Sequence, residues 1–434
     1  MDKAVLVIGG GIAGIQASLD LADKGIPVHM VEKSPSIGGR MAQLDKTFPT
    51  NDCSICILAP KMADCFAHPN INVMTYSEVK EVKGKAGDFT VTVLKKTRYV
   101  DESKCTGCCE CIEKCPTKIP NEWEQGLGQR RAIYLPFMQS VPRVVTIDRE
   151  NCRMIKEEKC GVCKKICKRE AINYEMKDEE VELNVASIIV AIGYDLWDPT
   201  VATEYGYGKF PNVFTAMEYE RMINAAGPTG GHIKRRSDGE HPHRMAFIQC
   251  VGSRNPQMGH PYCCAVCCMF SVKEAMLAKE HYDDIESTIF YKDLRTCAKN
   301  FFEYAERAKK DYSVRMINSD GTVKENKDNN NPIVVYDVGG RPVEAEFDIV
   351  VLANTLIPRK DAGELAKLLG INQDEFGFYS SVDQVMSPGT TNVPGIFIAG
   401  YCAGPADIPE SVAQGSSAAS KAMQEIAQTN GGTS

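Results

Sequence analysis

The first thirty-two residues constrain the chain most. Ala4-Val5-Leu6-Val7-Ile8 is a short, continuous apolar run ending at glycines, the pattern of a strand buried on both faces. Gly9-Gly10-Gly11-Ile12-Ala13-Gly14 fits G-x-G-x-x-G and opens a segment with Ile15, Ala17, Leu19 and Leu21 at helical spacing, which Gly25 terminates. A second strand, Val28 to Val31, leads to Glu32, 18 residues beyond the last glycine. This is one βαβ unit carrying a dinucleotide site. Gly9, Gly11 and Gly14 let the backbone approach a pyrophosphate, the helix N-terminus at Ile12 and Ala13 offers N–H groups, and the Glu32 carboxylate suits a ribose hydroxyl. These residues alone do not separate FAD from NAD.

The chain's 434 residues, with 43% apolar and 25% charged, suit two or three globular domains. A formal charge of −7 argues against a nucleic-acid or anionic-membrane partner. No apolar run reaches the roughly 18 residues of a membrane span, and Met1-Asp2-Lys3 leads directly into a strand, leaving no room for a signal peptide. The expected location is cytoplasmic. Nineteen cysteines in short-spaced runs, in a chain long enough to build a core without staples, point to metal ligation in a reducing compartment rather than to disulfides.

Cys105-x2-Cys108-x2-Cys111-x3-Cys115-Pro116 is the bacterial ferredoxin run, in which one loop wraps a [4Fe–4S] cubane while the fourth thiolate reaches a second cluster. Cys152-x7-Cys160-x2-Cys163-x3-Cys167 repeats it with a longer first gap, and Lys168 replaces the proline. Crossed ligation assigns Cys105, Cys108, Cys111 and Cys167 to one cluster and Cys152, Cys160, Cys163 and Cys115 to the other. Structural zinc favours two separated C-x2-C pairs and fits this run poorly. Cys109 breaks the spacing and reads as a buried or free thiol.

The expected organisation is an α/β flavoprotein with an insertion: 1–99 as the first FAD-binding segment, 100–178 as a ferredoxin domain, 179–240 as FAD-binding continuation and connection, 241–355 as a second nucleotide-domain-like unit, and 356–434 as the last FAD-binding segment. Residues near 70–100 alternate as antiparallel strands do, and 324–331 reads as a surface loop. Lys33 through Gly38-Gly39-Arg40, together with a late strand ending at Gly400, resembles two-dinucleotide-binding-domain flavoproteins of the thioredoxin-reductase type. That resemblance implies FAD as the cofactor, held by Lys33, Gly39, Arg40, Gly193, Gly400, Gly404, Asp407 and Ser411. Tyr401 stands where an acidic residue often makes a ribityl contact.

The strand Met245–Val251 is not followed by a second glycine fingerprint. Cys250, and then Tyr262-Cys263-Cys264-Ala265-Val266-Cys267-Cys268, stand there instead. With Phe48-Pro49-Thr50-Asn51-Asp52-Cys53-Ser54-Ile55-Cys56-Ile57-Leu58, the ferredoxin insertion and Ile408-Pro409-Glu410-Ser411-Val412-Ala413-Gln414, these residues resemble the A subunit of heterodisulfide reductase and its relatives across nearly the whole chain. The resemblance implies a third, non-standard [4Fe–4S] cluster on Cys250, Cys263, Cys267 and Cys268, with Cys264 outside the set. It also places Lys273 beside the flavin as the catalytic candidate, against the alternative of a solvated helix residue. Cys53 and Cys56 read as a redox dithiol, a cluster contribution or buried thiols, with no ligation favoured.

What the resemblance implies is an oxidoreductase subunit of anaerobic metabolism that carries FAD and three [4Fe–4S] clusters. It would bifurcate, confurcate or relay electrons among other redox subunits, iron–sulfur and disulfide- or quinone-linked, with a homodimer compatible with that assembly. Long archaeal members carry domains that this sequence lacks, so its electron exits are expected to differ. The alternative is a stand-alone NAD(P)H-dependent flavin reductase, which the missing second fingerprint disfavours. A structural module with vestigial clusters would leave complete ligand sets without a purpose.

Overall fold

The computed structural model describes residues 4–431, which divide into two units: 4–42, 56–194 and 358–431 in the first, and 43–55 with 195–357 in the second.

The first unit is organised by one seven-stranded sheet. Ile71–Thr75, Val28–Glu32, Ala4–Ile8 and Glu179–Val190 run parallel in that order. The long strand Glu179–Val190 then forks. Its first half pairs antiparallel with Asp88–Lys95, itself hairpinned to Ser77–Lys85, and its second half pairs parallel with Ile396–Ile398. Ile71–Thr75 was expected among antiparallel strands. It is parallel because it follows the helix Ser54–Ala67 and so enters the sheet by a crossover. The helices Ile12–Ala22 and Ile408–Gly431 pack closely: a Cβ on Gly415 would come within 2.5 Å of the Ala13 carbonyl oxygen.

Residues 96–178 leave the hairpin strand after Lys95 and return at Glu179, and these two residues are partners in the ladder. The insertion therefore occupies the place of a hairpin loop. Its small core is Val100, Ala132, Ile133, Val144, Val145, Ile147, Ala171 and Ile172 together with Cys111, Cys152 and Cys163. The side chain of Arg98, 1% exposed, anchors it. Its guanidinium donates to Thr146 Oγ1 at 2.6 Å, to the Pro35 carbonyl at 2.8 Å, to Thr75 Oγ1 and to Glu102. One buried cation thus joins the sheet end, the loop after Glu32 and the insertion.

The second unit has a five-stranded, fully parallel sheet in the order Val213–Thr215, Ile349–Asn354, Arg244–Val251, Glu286–Tyr291, Arg315–Asn318. A three-stranded meander adjoins it, Gly321–Glu325, Pro332–Val338 and Arg341–Glu346, and 326–331 is the turn between its first two strands. The helix Cys267–His281 is buried from Cys267 to Ala278 apart from Phe270, as expected for an element apolar on most faces.

Two expected boundaries shift. Residues 195–240 belong with the second unit, because Val213–Thr215 pairs with Ile349–Asn354 and the helix Ala216–Ile223 follows it under a reciprocal Thr215–Glu218 cap. Residues 43–55 also join that unit: the Asp45 N–H donates to Glu220 at 2.8 Å, and the Lys46 carbonyl accepts from Lys273 at 2.9 Å.

Replacing Arg98 by Met is expected to cost about 3 kcal/mol, because it strands the partners of a buried charge. Urea unfolding followed by cluster absorbance should show an earlier midpoint, and an unchanged midpoint would remove Arg98 as the joint.

Candidate functional site

In the first unit the three fingerprint glycines face different surroundings. A Cβ on Gly9 would lie 2.3 Å from the Ala191 carbonyl oxygen, and one on Gly14 would lie 1.9 Å from the Gly9 carbonyl oxygen. One on Gly11 would meet no protein atom within 4 Å. The outer glycines therefore serve the tight strand–helix approach, and the middle one borders open space of the kind a pyrophosphate needs. No side chain caps the helix at Gly11, so its first-turn N–H groups at Ile12, Ala13 and Gly14 are available to an anion. Glu32 is fixed by two N–H groups, Gly10 to Oε2 and Ser34 to Oε1, each at 2.7 Å, and its oxygens keep acceptor capacity for hydroxyls. These features fit a dinucleotide such as FAD.

Around this cradle, Gly39 and Arg40 lie in the 3-10 turn Gly39–Gln43, where a Cβ on Gly39 would come 3.0 Å from Gly11 Cα. Gly193 follows the long strand and borders open space, as does Gly404. Gly400, at φ +75°, is held by its N–H to Gln414 Oε1 at 2.8 Å and lies against Ala13. Asp407 caps the last helix. It accepts the Glu410 N–H at 2.8 Å while its own N–H donates to Glu410 at 2.9 Å, and burial raises its carboxyl. Ser411 sits in that first turn. The Lys33 ammonium is committed to Asp361 at 2.8 Å and Glu78 at 3.6 Å. Tyr401 is buried and packs its ring 4.8 Å from Tyr194.

In the insertion, Cys115, Cys152, Cys160 and Cys163 line one small pocket of about 20 Å³ with Pro116 and Tyr174. These are the four thiols that crossed ligation assigns together, and soft sulfur donors lining one pocket fit an iron–sulfur cubane. Tyr174 Oη lies 2.9 Å from Cys163 Sγ. In the other set, burial pushes the Cys111 thiol up to about 12, and the adjacent thiols of Cys163, Cys105 and Cys108 add to the effect. Ligation therefore requires a cation that displaces its proton. Cys167 accepts the Ala171 N–H at 3.4 Å. Cys109 caps a short helix at φ +67° and donates to the Gly107 carbonyl.

In the second unit, Cys250, Cys264 and Cys268 all lie against Cys267. Those contacts push the Cys267 thiol well up, while the bond to Cys267 brings Cys250 down to about 7. Cys263 accepts the Ala265 N–H at 3.4 Å and neighbours the Arg295 guanidinium, and Cys268 accepts the Arg295 N–H at 3.3 Å. N–H donors of this kind support thiolate ligands, so the donor set fits a cluster. Cys264, set aside on spacing, is fully buried inside this group.

Lys273 is 1% exposed and is not a solvated helix residue. Its ammonium is bound to Glu220 and to the Lys46 carbonyl. Glu274 and Asp45 are close by, and burial together with Glu220 raises both carboxyls. Sequence reasoning missed this acidic surround, since Glu and Asp are rarely buried. Cys53 and Cys56 are joined by a disulfide, Cys53 immediately before the helix Ser54–Ala67 and Cys56 in its first turn.

Residues 4–54 match the FAD-dependent oxidoreductase family, and 98–120 match the 4Fe-4S binding domain. The iron–sulfur A subunit of the CoB–CoM heterodisulfide reductase of Methanocaldococcus jannaschii is 51% identical over 99% of this chain and 65% of its own length. The A subunit of the H2:CoB–CoM heterodisulfide,ferredoxin reductase of Methanothermobacter marburgensis is 48% identical over 97% and 64%. The chain thus spans just under two thirds of these relatives. Among solved structures, thioredoxin reductases from Lactococcus lactis and T. acidophilum share the fold, with TM-scores of 0.54 and 0.52. Their identities are 15% and 13%, with 98% of this chain covered in each case and 99% and 98% of theirs.

Gly14→Val places a branched side chain against the Gly9 carbonyl. The purified protein is expected to lose its FAD while keeping the insertion's iron, as read by flavin release and iron assay.

Proposed function

Because the chain belongs to the heterodisulfide reductase A-subunit family, we propose that it is an FAD- and [4Fe–4S]-containing electron-transfer subunit of a heterodisulfide-reductase-like complex, acting in flavin-based bifurcation, confurcation or relay. The observation that carries this reading is the thiol group Cys250, Cys263, Cys267 and Cys268, which stands after a parallel strand where a reductase of this fold would need a second glycine fingerprint. A flavin supplies the conversion between paired and single electrons, and cubane clusters carry single electrons.

The chain's own residues hold and tune these groups. Gly11 and the N-terminus of the helix Ile12–Ala22 receive the pyrophosphate, and Glu32 receives the ribose. Three clusters take the sets Cys105, Cys108, Cys111, Cys167; Cys115, Cys152, Cys160, Cys163; and Cys250, Cys263, Cys267, Cys268. Lys273, which the family resemblance sets beside the flavin, uses two of its three N–H donors on Glu220 and the Lys46 carbonyl. A cation so placed favours added negative charge. Among the described residues no helix is long and apolar enough to cross a membrane. The partners in this reading are further redox subunits that supply and drain electrons.

The test uses anaerobically purified holoprotein. About twelve iron atoms per chain are expected for three cubanes, and NADH or NADPH alone should leave the flavin oxidised. Rapid bleaching without a partner would establish the stand-alone reductase instead, and iron near four atoms would remove two clusters.

Lys273→Met is expected to shift the flavin's reduction potential while FAD content stays at one per chain. Lys273→Arg, which keeps the charge, should restore much of the shift. An unchanged potential in Lys273→Met would refute the role.

A further inference from the structure

Among the described residues, and outside the thiol groups, one cluster of ligating side chains stands on the second unit. His241 Nε2 lies 3.1 Å from Asp284 Oδ1, and His243 Nδ1 lies 2.9 Å from Asp284 Oδ2. The three ligand atoms fall within 4.8 Å of one another. In a tetrahedral site with bonds of about 2.0–2.1 Å, neighbouring ligand atoms are roughly 3.3 Å apart, so a shared cation would need only small side-chain rotations to bring both imidazoles onto the one carboxylate.

The local sequence produces the convergence. His241-Pro242-His243 stands in the loop that bends at His243 into the strand Arg244–Val251, and the two imidazole ring centroids are 5.1 Å apart. Asp284 follows the C-terminal end of the helix Cys267–His281. Tyr282, at that same end, packs 4.2 Å from the His241 ring and meets His232 Nδ1 through its hydroxyl at 2.8 Å. Two neutral imidazoles and one carboxylate leave a fourth position for water, a donor set suited to zinc-class cations and unlike the all-sulfur sets elsewhere in the chain.

We propose that His241, His243 and Asp284 form a binding site for a zinc-class divalent cation that ties the 227–243 connection to the end of the helix Cys267–His281. That helix carries Cys267, Cys268 and Lys273, so the cation would clamp the far end of the element that holds the third thiol group. Capture of the cation moves the His241 proton from Nε2 to Nδ1, which is buried without a hydrogen-bond partner. This unsupported N–H keeps the affinity moderate, because a ligand imidazole ordinarily gives its second N–H to a partner.

The experiment titrates Zn2+ into anaerobic holoprotein by equilibrium dialysis with metal analysis, and reads the bound zinc by X-ray absorption. One zinc per chain is expected, with N/O donors at about 2.0–2.1 Å and iron content unchanged. His241→Ala and Asp284→Asn should each weaken binding by more than the roughly 10–100-fold that loss of a supporting partner costs. His243→Gln, at an exposed position, should do the same while iron content again stays constant, which separates loss of the site from loss of the fold. Zinc on sulfur at about 2.3 Å, equal binding by the variants, or no binding at all would overturn the site and leave two carboxylate–imidazole ion pairs.

Discussion

The pairing of Lys95 with Glu179 is the constraint on which the rest of the first unit depends. A ferredoxin-like insertion of more than eighty residues can sit inside a dinucleotide fold only if its ends emerge side by side. The antiparallel ladder between Asp88–Lys95 and Glu179–Val190 supplies that condition. The host sheet then experiences the insertion as a long hairpin loop, whose closure cost grows only slowly with length. Arg98 restrains the hinge so created. Its buried guanidinium has partners on both sides of the junction, at Pro35 and Thr75 and at Glu102 and Thr146, which converts a tether into a fixed joint.

A second organising feature is the charge buried in the second unit. Lys273 is bound to Glu220 while Glu274 and Asp45 stand close by. One ammonium balances one carboxylate, and burial lifts the other two carboxyls toward their protonated forms. Glu274 is fully buried beside Glu220, a costly arrangement for an ionised group. Lys273 and Glu274 lie on the same helix as Cys267 and Cys268, while Glu220 and Asp45 reach them from neighbouring elements.

Much of this was legible in the residues, and the exceptions share a cause. Strand–glycine–helix at Ala4–Ala22 and the two cysteine runs are local patterns in which spacing alone dictates geometry, so the βαβ unit and the Cys115, Cys152, Cys160 and Cys163 pocket follow from them. Unit boundaries are non-local. Nothing in Val213–Thr215 announces that it pairs with a strand more than 130 residues later, and 43–55 joins the second unit only through hydrogen bonds to Glu220 and Lys273. Cys264 was set aside because spacing counts ligands without showing which thiols the fold buries together. Glu220 and Glu274 carry no sequence signal of burial, because charge normally stays wet, and Glu220 is buried only as the partner of Lys273.

The two units solve one physical problem in two ways. In the first, a parallel strand runs into glycines and a helix whose uncapped N-terminus faces the space beside Gly11, the arrangement that stabilises a pyrophosphate. In the second, the parallel strand Arg244–Val251 ends at Cys250, and the helix Cys267–His281 begins with two thiols and no side-chain cap. Thiolates are anions as phosphates are, and a helix N-terminus lowers the cost of their charge in the same way. The glycines of the first unit and the thiols of the second thus stand at the same position of a strand-to-helix turn. Under the proposed function, that exchange would turn a nucleotide-binding position into one that holds a cluster.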